Sequence, residues 1–250
     1  TWSTNVMGTV HVLEAVRACP SVKAVVVVTT DKCYQNREWP WGYRESDALG
    51  GSDPYSASKA GAELVVQSYR SSFFSVNGPQ LASARAGNVI GGGDWSEDRL
   101  IPDAARAAGR HEPLMIRHPL ATRPWQHVLE SLHGYLRLAA CLLDQEPMHA
   151  EPFNFGPDAA DNVSVAELLG RLQLHWPELH WQVEPSGLAT PHEANFLYLD
   201  SSKARRQLGW MPKWDLATCL AETARWYRAV EQRPSDAREI SEQQLDQFCQ

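Results

Sequence analysis

The run Ala24-Val25-Val26-Val27-Val28, followed at once by Thr29-Thr30-Asp31-Lys32-Cys33-Tyr34, decides the fold. A short continuous apolar run suits a parallel strand covered on both faces, and residues 23–29 are read as that strand. A polar, Trp-rich loop follows from Trp39 to Asp53, long enough to be functional rather than a simple connection. Asp53 and Pro54 then supply an N-cap and a first-turn proline, which predicts a helix from Tyr55 to about Ser72. Leu81 to Ala86 reads as a second buried strand. Working back from the valines, Thr4 or Asn5 caps a helix through about Ala18, with Val6, Val10, Leu13 and Val16 as its apolar stripe and Pro20 as its stop. Helix, strand, helix, strand in that order argues for an α/β fold with a parallel sheet.

Beyond Asn88 the texture changes. Gly91-Gly92-Gly93-Asp94-Trp95 reads as a loop, Leu100 to Arg110 as a short helix, and Val128 to Leu143 as a longer one. Pro152 to Gly156 is a short strand that rejoins the sheet. Ser164 caps a helix over 165–175, with Glu167 completing a capping box. Trp181 to Val183 and Phe196 to Leu199 are expected as strands of a smaller sheet, and two helices over about 201–208 and 215–230 close the ordered part. The polar tail from Arg233 is expected to be loosely ordered.

The 250 residues are 43% hydrophobic and 21% charged, the balance of an ordinary globular chain with room for a full core. A net charge of −7 gives no electrostatic reason to expect nucleic acid or an anionic membrane as partner. No apolar run approaches the roughly 20 residues that span a bilayer. Five scattered cysteines, odd in number, suit reduced thiols of the cytoplasm better than a disulfide framework. The nine histidines show no metal-ligand spacing, so no metal is assigned.

Tyr55 and Lys59 stand four residues apart, one above the other on a helix. That pairing suits base catalysis on an alcohol, because an ammonium stabilises a phenolate and lowers a pKa otherwise about 10. A Tyr-x-x-x-Lys alone is weak, and its place after a strand, a loop and a capped helix is what gives it weight. Thr30, Asp31 and Lys32 fall at the carboxyl end of the first strand, where open α/β sheets place ligand-binding groups. The plainer reading is that Asp31 and Lys32 form a solvated turn. Asp31 as a general acid requires burial, and Lys32 as a base requires desolvation.

These segments resemble the extended short-chain dehydrogenase/reductases, and among them the nucleotide-sugar 4,6-dehydratases of the CDP-glucose branch. The resemblance rests on Thr30 to Tyr34, Arg85 to Trp95, Arg99 to Asp103, Arg123 to Val128, His192 to Asn195, Leu199 to Lys203 and Leu208-Gly209-Trp210, and covers roughly residues 2 to 230. It implies a partial Rossmann-type, doubly wound parallel sheet with a smaller α/β substrate-binding lobe. Residues 1–89 are then an incomplete NAD-binding domain rejoined by about 125–157, residues 90–124 and 158–232 the substrate lobe, and 233–250 the tail.

The resemblance also implies roles. Tyr55 takes the proton from the sugar O4 as hydride leaves C4 for NAD, Lys59 holds the nicotinamide ribose, and Thr30 hydrogen-bonds near O4. Thr4 joins Tyr55 and Lys59 among the cofactor contacts. Asp31 protonates the departing C6 hydroxyl before hydride returns to C6, giving CDP-4-dehydro-6-deoxyglucose, a deoxysugar precursor for surface polysaccharide such as O-antigen. Related dTDP- and GDP-sugar dehydratases carry Glu at the position of Lys32 as the C5 base, and the CDP-glucose branch is similar to this chain in having Lys. Asn88 and Arg123 match sugar-diphosphate contacts, Arg through its forked pairing with phosphate oxygens. Leu100, Ile101 and Pro102 match a nucleoside-pocket segment and are equally good as core. His192 matches a nucleotide-end contact, with a surface-loop histidine as the plainer reading.

No glycine-rich strand-to-helix turn with an acidic residue about 20 positions on occurs in the chain. The resemblance puts that fingerprint in roughly a hundred residues before the one matched by Thr1, and implies a homodimer built on the helices over 4–18 and 55–72. Two rivals stay open. A nucleotide-sugar 4-epimerase shares Tyr55, Lys59 and Thr30 but usually has small residues at Asp31 and Lys32, and an inactive fragment would lack the NAD fingerprint.

Overall fold

The valine run forms strand β1 (Ala24–Val28), set between helix α1 (Gly8–Arg17) and helix α2 (Pro54–Ser72) in a computed structural model that describes residues 1–75, 78–144, 147–185 and 196–250. The chain continues through β2 (Gln80–Ala86), β3 (Asn88–Ile90), α3 (Leu100–Gly109), β4 (Leu114–Ile116), β5 (Thr122–His127), α4 (Val128–Leu143) and β6 (Pro152–Phe155). It ends with β7 (Asn162–Ser164), α5 (Val165–Gln173), β8 (Trp181–Val183), α6 (Leu216–Gln232) and α7 (Ala237–Cys249). Two structural units share these elements. The first comprises Thr1–Gly87, Ser131–Gly156 and Leu197–Met211, and the second Asn88–Glu130, Pro157–Phe196 and Pro212–Gln250.

In the first unit β1, β2 and β6 form a parallel sheet in that order, with Val26 opposite Ala82 and Ala84 opposite Phe153. Side chains alternate across a strand, so the two faces of this sheet receive different residues. Val25, Val27 and Leu81 pack with Leu13, Val16, Val66 and Phe74 from α1, α2 and the turn after α2. Ala24, Val26, Ala82 and Ala84 pack instead with Leu138, Leu142, Phe153, Leu208 and Trp210. Both faces are therefore covered, as a doubly wound sheet requires. The valines of β1 are half-buried and Val28 is exposed, because β1 pairs with β2 along one edge only among the described residues. The first helical segment begins as a wide turn over Ser3–Met7 without a side-chain cap, so neither Thr4 nor Asn5 caps it. The Asn5 amide donates to Ser58 Oγ at 2.9 Å and ties this segment to α2.

In the second unit β3 runs parallel to β5 and β7 antiparallel to it, while β4 and β8 form a separate parallel pair. Its core gathers Trp125, Trp176, Leu168, Leu169, Leu172, Leu220 and Tyr227 around α3, α5 and α6. Gly92 passes so close to the Trp226 ring that a Cβ there would lie 2.1 Å from it, which makes the glycine run a packing device. Ser164 Oγ accepts from Glu167 N at 3.2 Å, but the Glu167 carboxylate pairs with Arg171, so the expected capping box is half formed.

Two further expectations are corrected. The tail from Arg233 is not loose: α7 buries Ile240, Gln244 and Phe248, four residues apart, and Phe248 meets the Trp214 ring at 5.3 Å. Among the described residues the segment Phe196 to Leu199 joins no smaller sheet; Leu199 forms a bridge with Tyr43, and 197–211 belong to the first unit. The second unit takes up at Asn88 and runs to Glu130 before the chain re-enters the first.

Candidate active site

The carboxyl end of β1 turns sharply. Thr30 caps a single 3-10 turn over Asp31–Cys33, accepting from Lys32 N at 3.3 Å and donating through Oγ1 to Asp31 Oδ1 at 3.0 Å. A threonine here serves both as cap and as donor, which fixes the Asp31 carboxylate against the backbone. Asp31 is 2% exposed and Thr30 8%, whereas Lys32 is exposed. The environment that an acid asks of Asp31 is present. The desolvation that a base asks of Lys32 is not seen in the chain.

Helix α2 begins where the sequence places it. Asp53 accepts from Tyr55 N at 2.9 Å and from Ser56 N at 3.0 Å, satisfying two amides that the first turn leaves without helical partners. Tyr55 is 42% exposed. Lys59 is half-buried and donates to the Val28 carbonyl at 3.4 Å, so the helix face bearing both residues lies against the end of β1. Burial pulls the Lys59 pKa down, opposed by the negative charge of Glu63 one turn on. Thr30, Asp31, Tyr55 and Lys59 all belong to the first unit, and the Lys59 contact joins the two segments that carry them.

Beneath this face lies a buried polar network. Glu63 accepts from Thr29 Oγ1, from Ser83 Oγ at 2.7 Å and from the Arg85 guanidinium at 2.7 Å. Arg85 also donates to Tyr34 OH at 2.8 Å, and Tyr34 donates to Asn154 Oδ1 at 2.7 Å. The guanidinium holds Glu63 below the usual carboxylate range against the opposing effect of burial. Sequence reading passed over Glu63. The available signal was its spacing, eight residues after Tyr55 and so on the sheet-facing side of α2.

The other expected site residues lie in the second unit. Asn88 opens β3, and Arg123 on β5 is 7% exposed, donating to the Thr122 carbonyl at 2.7 Å. Ile101 and Pro102 are buried in the first turn of α3 and Leu100 is half-buried beside them; Ile101 is part of the core, so packing is the role seen. Thr4 is exposed in the wide first turn of the chain. His192 lies outside the described residues. His127, which the sequence did not single out, is 2% exposed, stacks near Trp214 at 4.8 Å and accepts from Leu129 N through Nδ1. Burial pulls its pKa down to about 4. Among the described residues no group of three or more His, Cys, Asp or Glu could hold a metal ion, and no helix is long and apolar enough to cross a membrane.

A family model described as GDP-mannose 4,6 dehydratase matches residues 1–223. Among curated proteins, the CDP-glucose 4,6-dehydratase of Salmonella typhimurium is 49% identical over 235 residues, covering 92% of this chain and 65% of that protein. The chain thus spans just under two thirds of the length of that relative. Among solved structures, the dTDP-glucose 4,6-dehydratase of Bacillus anthracis in complex with NAD superposes with a TM-score of 0.79 at 23% identity, over 93% of this chain and 70% of that one. The dTDP-glucose 4,6-dehydratase of Streptomyces venezuelae with NAD and TYD bound gives 0.74 at 27% identity, over 91% and 66%.

Proposed function

The chain belongs to the GDP-mannose 4,6 dehydratase family, and from that premise we propose that it carries the proton-transfer machinery of an NAD-dependent CDP-glucose 4,6-dehydratase. The observation that carries the choice of sugar carrier is the 49% identity to the Salmonella typhimurium enzyme across nearly the whole chain. The Thr30–Asp31–Lys32 turn, set against the Tyr55–Lys59 face, supports elimination over epimerisation, since an epimerase has no acid step at C6.

The residues present fit the nicotinamide end of the cofactor. Lys59 is half-buried and anchored on Val28 O, a suitable donor for a ribose diol, and the neighbouring Tyr55 phenol is accessible. NAD, when bound, supplies hydride acceptance from C4 and hydride return to C6. The chain's own groups then do the proton work. Tyr55 receives the O4 proton, with Lys59 as the cation that favours its phenolate. Thr30 hydrogen-bonds near O4. Oxidation at C4 acidifies the C5 proton, and Lys32 is the candidate base for its removal. Asp31 delivers a proton to the C6 hydroxyl, which departs as water. By the resemblance, Asn88 and Arg123 are assigned to the diphosphate, Leu100, Pro102 and His192 to the nucleoside and Thr4 to the cofactor, while Ile101 serves as core.

We place the enzyme in the cytoplasm, consistent with five free thiols. It works as a homodimer through α1 and α2, on which Val12 and Leu64 are 57% and 56% exposed. Sedimentation of a single species at twice the chain mass is expected, and a monomer at micromolar concentration contradicts the dimer. For the activity, the protein is incubated with CDP-glucose and NAD and the product read by NMR. A C6 methyl and a C4 carbonyl on the CDP-sugar are expected; CDP-galactose would make the protein an epimerase.

A further inference from the structure

Glu63 is 3% exposed and stands one helical turn beyond Lys59, which stands one turn beyond Tyr55. Each of its hydrogen bonds joins α2 to the sheet: to Thr29, directly after β1, and to Ser83 and Arg85 on β2. As packing, this is an expensive arrangement. A buried ion pair replaced by apolar side chains of similar volume is often neutral or stabilising, so cohesion alone does not explain a carboxylate here. What the carboxylate does that a leucine cannot is grip the hydroxyl of Thr29, the residue before Thr30. It thereby ties the strand end bearing Thr30 and Asp31 to the helix bearing Tyr55 and Lys59. Arg85 braces it from behind through Tyr34 and Asn154 of β6.

We propose that Glu63 is a positioning residue for the reaction, holding the Thr30–Asp31 strand end in register with the Tyr55–Lys59 face and setting the negative field at the Lys59 ammonium. This rests on the activity proposed above, whose geometry it serves. The groups facing Lys59 include Glu63 from its own helix with Arg85 behind it, Tyr55 one turn before it, the Val28 carbonyl from β1, and the Cys33 thiol from the turn. Burial pushes the Cys33 pKa up, with Asp31 adding to the effect, so that thiol stays neutral beside Lys59. Glu63 is therefore the anion that offsets desolvation of the amine.

Two variants separate the two parts. Glu63→Gln removes the charge, and Thr29→Val cuts the strand-end link while leaving the Glu63–Arg85 pair. Each is compared with the unaltered protein by trace acetylation of Lys59 across pH, read by mass spectrometry, by kcat and KM for CDP-glucose across pH, and by melting temperature. Glu63→Gln is expected to move the Lys59 labelling midpoint and the alkaline limb of kcat about one pH unit lower. Thr29→Val is expected to lower kcat about tenfold at unchanged KM, leaving the labelling midpoint in place. If Glu63→Gln does not fold, Glu63→Asp keeps the charge but shortens the reach, and should behave like Thr29→Val. A fall in melting temperature with labelling midpoint, kcat and pH limb all unchanged overturns the proposal. Absence of CDP-glucose turnover in the unaltered protein contradicts the proposed activity instead, and the labelling shift then decides the role of Glu63 by itself.

Discussion

At the scale of single residues, the roles rest on where each side chain is held. Tyr55→Phe removes the proton acceptor without disturbing the Asp53 cap, and kcat should fall about 1,000-fold while CDP-glucose still binds, as measured by calorimetry. Lys32→Met should leave C4 oxidation running but stop deuterium entering at C5 in heavy water; unchanged deuterium uptake assigns the base elsewhere. His127 carries a stability prediction. Its folded pKa, about 4, lies below the ordinary value near 6.5, so the unfolded chain binds a proton that the folded one refuses between those values. Its contribution is complete above about pH 6.5 and is lost as pH falls toward 4, up to about 3 kcal/mol. Chemical denaturation between pH 7 and pH 4 should show that loss, and His127→Gln should flatten it. Sequence reading found Tyr55 and Lys59 because helical spacing exposes such pairs. It missed Glu63 and His127 because burial and long-range partners, not spacing, define what they do.

At the scale of elements, local signals were legible where capping and apolar patterning agree. Helix α2 starts at Pro54 with its Asp53 cap, and α4 runs from Val128 to Leu143 as expected. Asp53→Ala should lower the melting free energy by about 1 kcal/mol, read by denaturant titration. Strands β3, β5 and β7 left no such trace. Thr122-Arg123-Pro124-Trp125-Gln126-His127 has neither alternation nor an apolar run, yet five of its six residues are buried. Helix α7 escaped notice for the opposite reason. Its buried stripe is only Ile240, Gln244 and Phe248 on an otherwise charged helix, too narrow to stand out from a polar tail. Removing residues 237–250 should therefore destabilise the second unit, visible as a lower melting temperature; an unchanged one restores the loose tail.

At the scale of the whole molecule, the alternation of helix and parallel strand was readable from the valine run outward, and the doubly covered sheet of the first unit bears it out. The path of the chain between units was not readable, since residues 197–211 return to the first unit through packing of Leu208 and Trp210 that no local pattern announces. The central claim is that one sugar is oxidised at C4 and reduced at C6 with water lost between. CDP-glucose deuterated at C4 tests this most directly, with the protein and NAD present and the product examined by NMR. Deuterium in the C6 methyl of a 4-keto product is the expected result. Deuterium still on C4 of a product that has kept its C6 hydroxyl contradicts it.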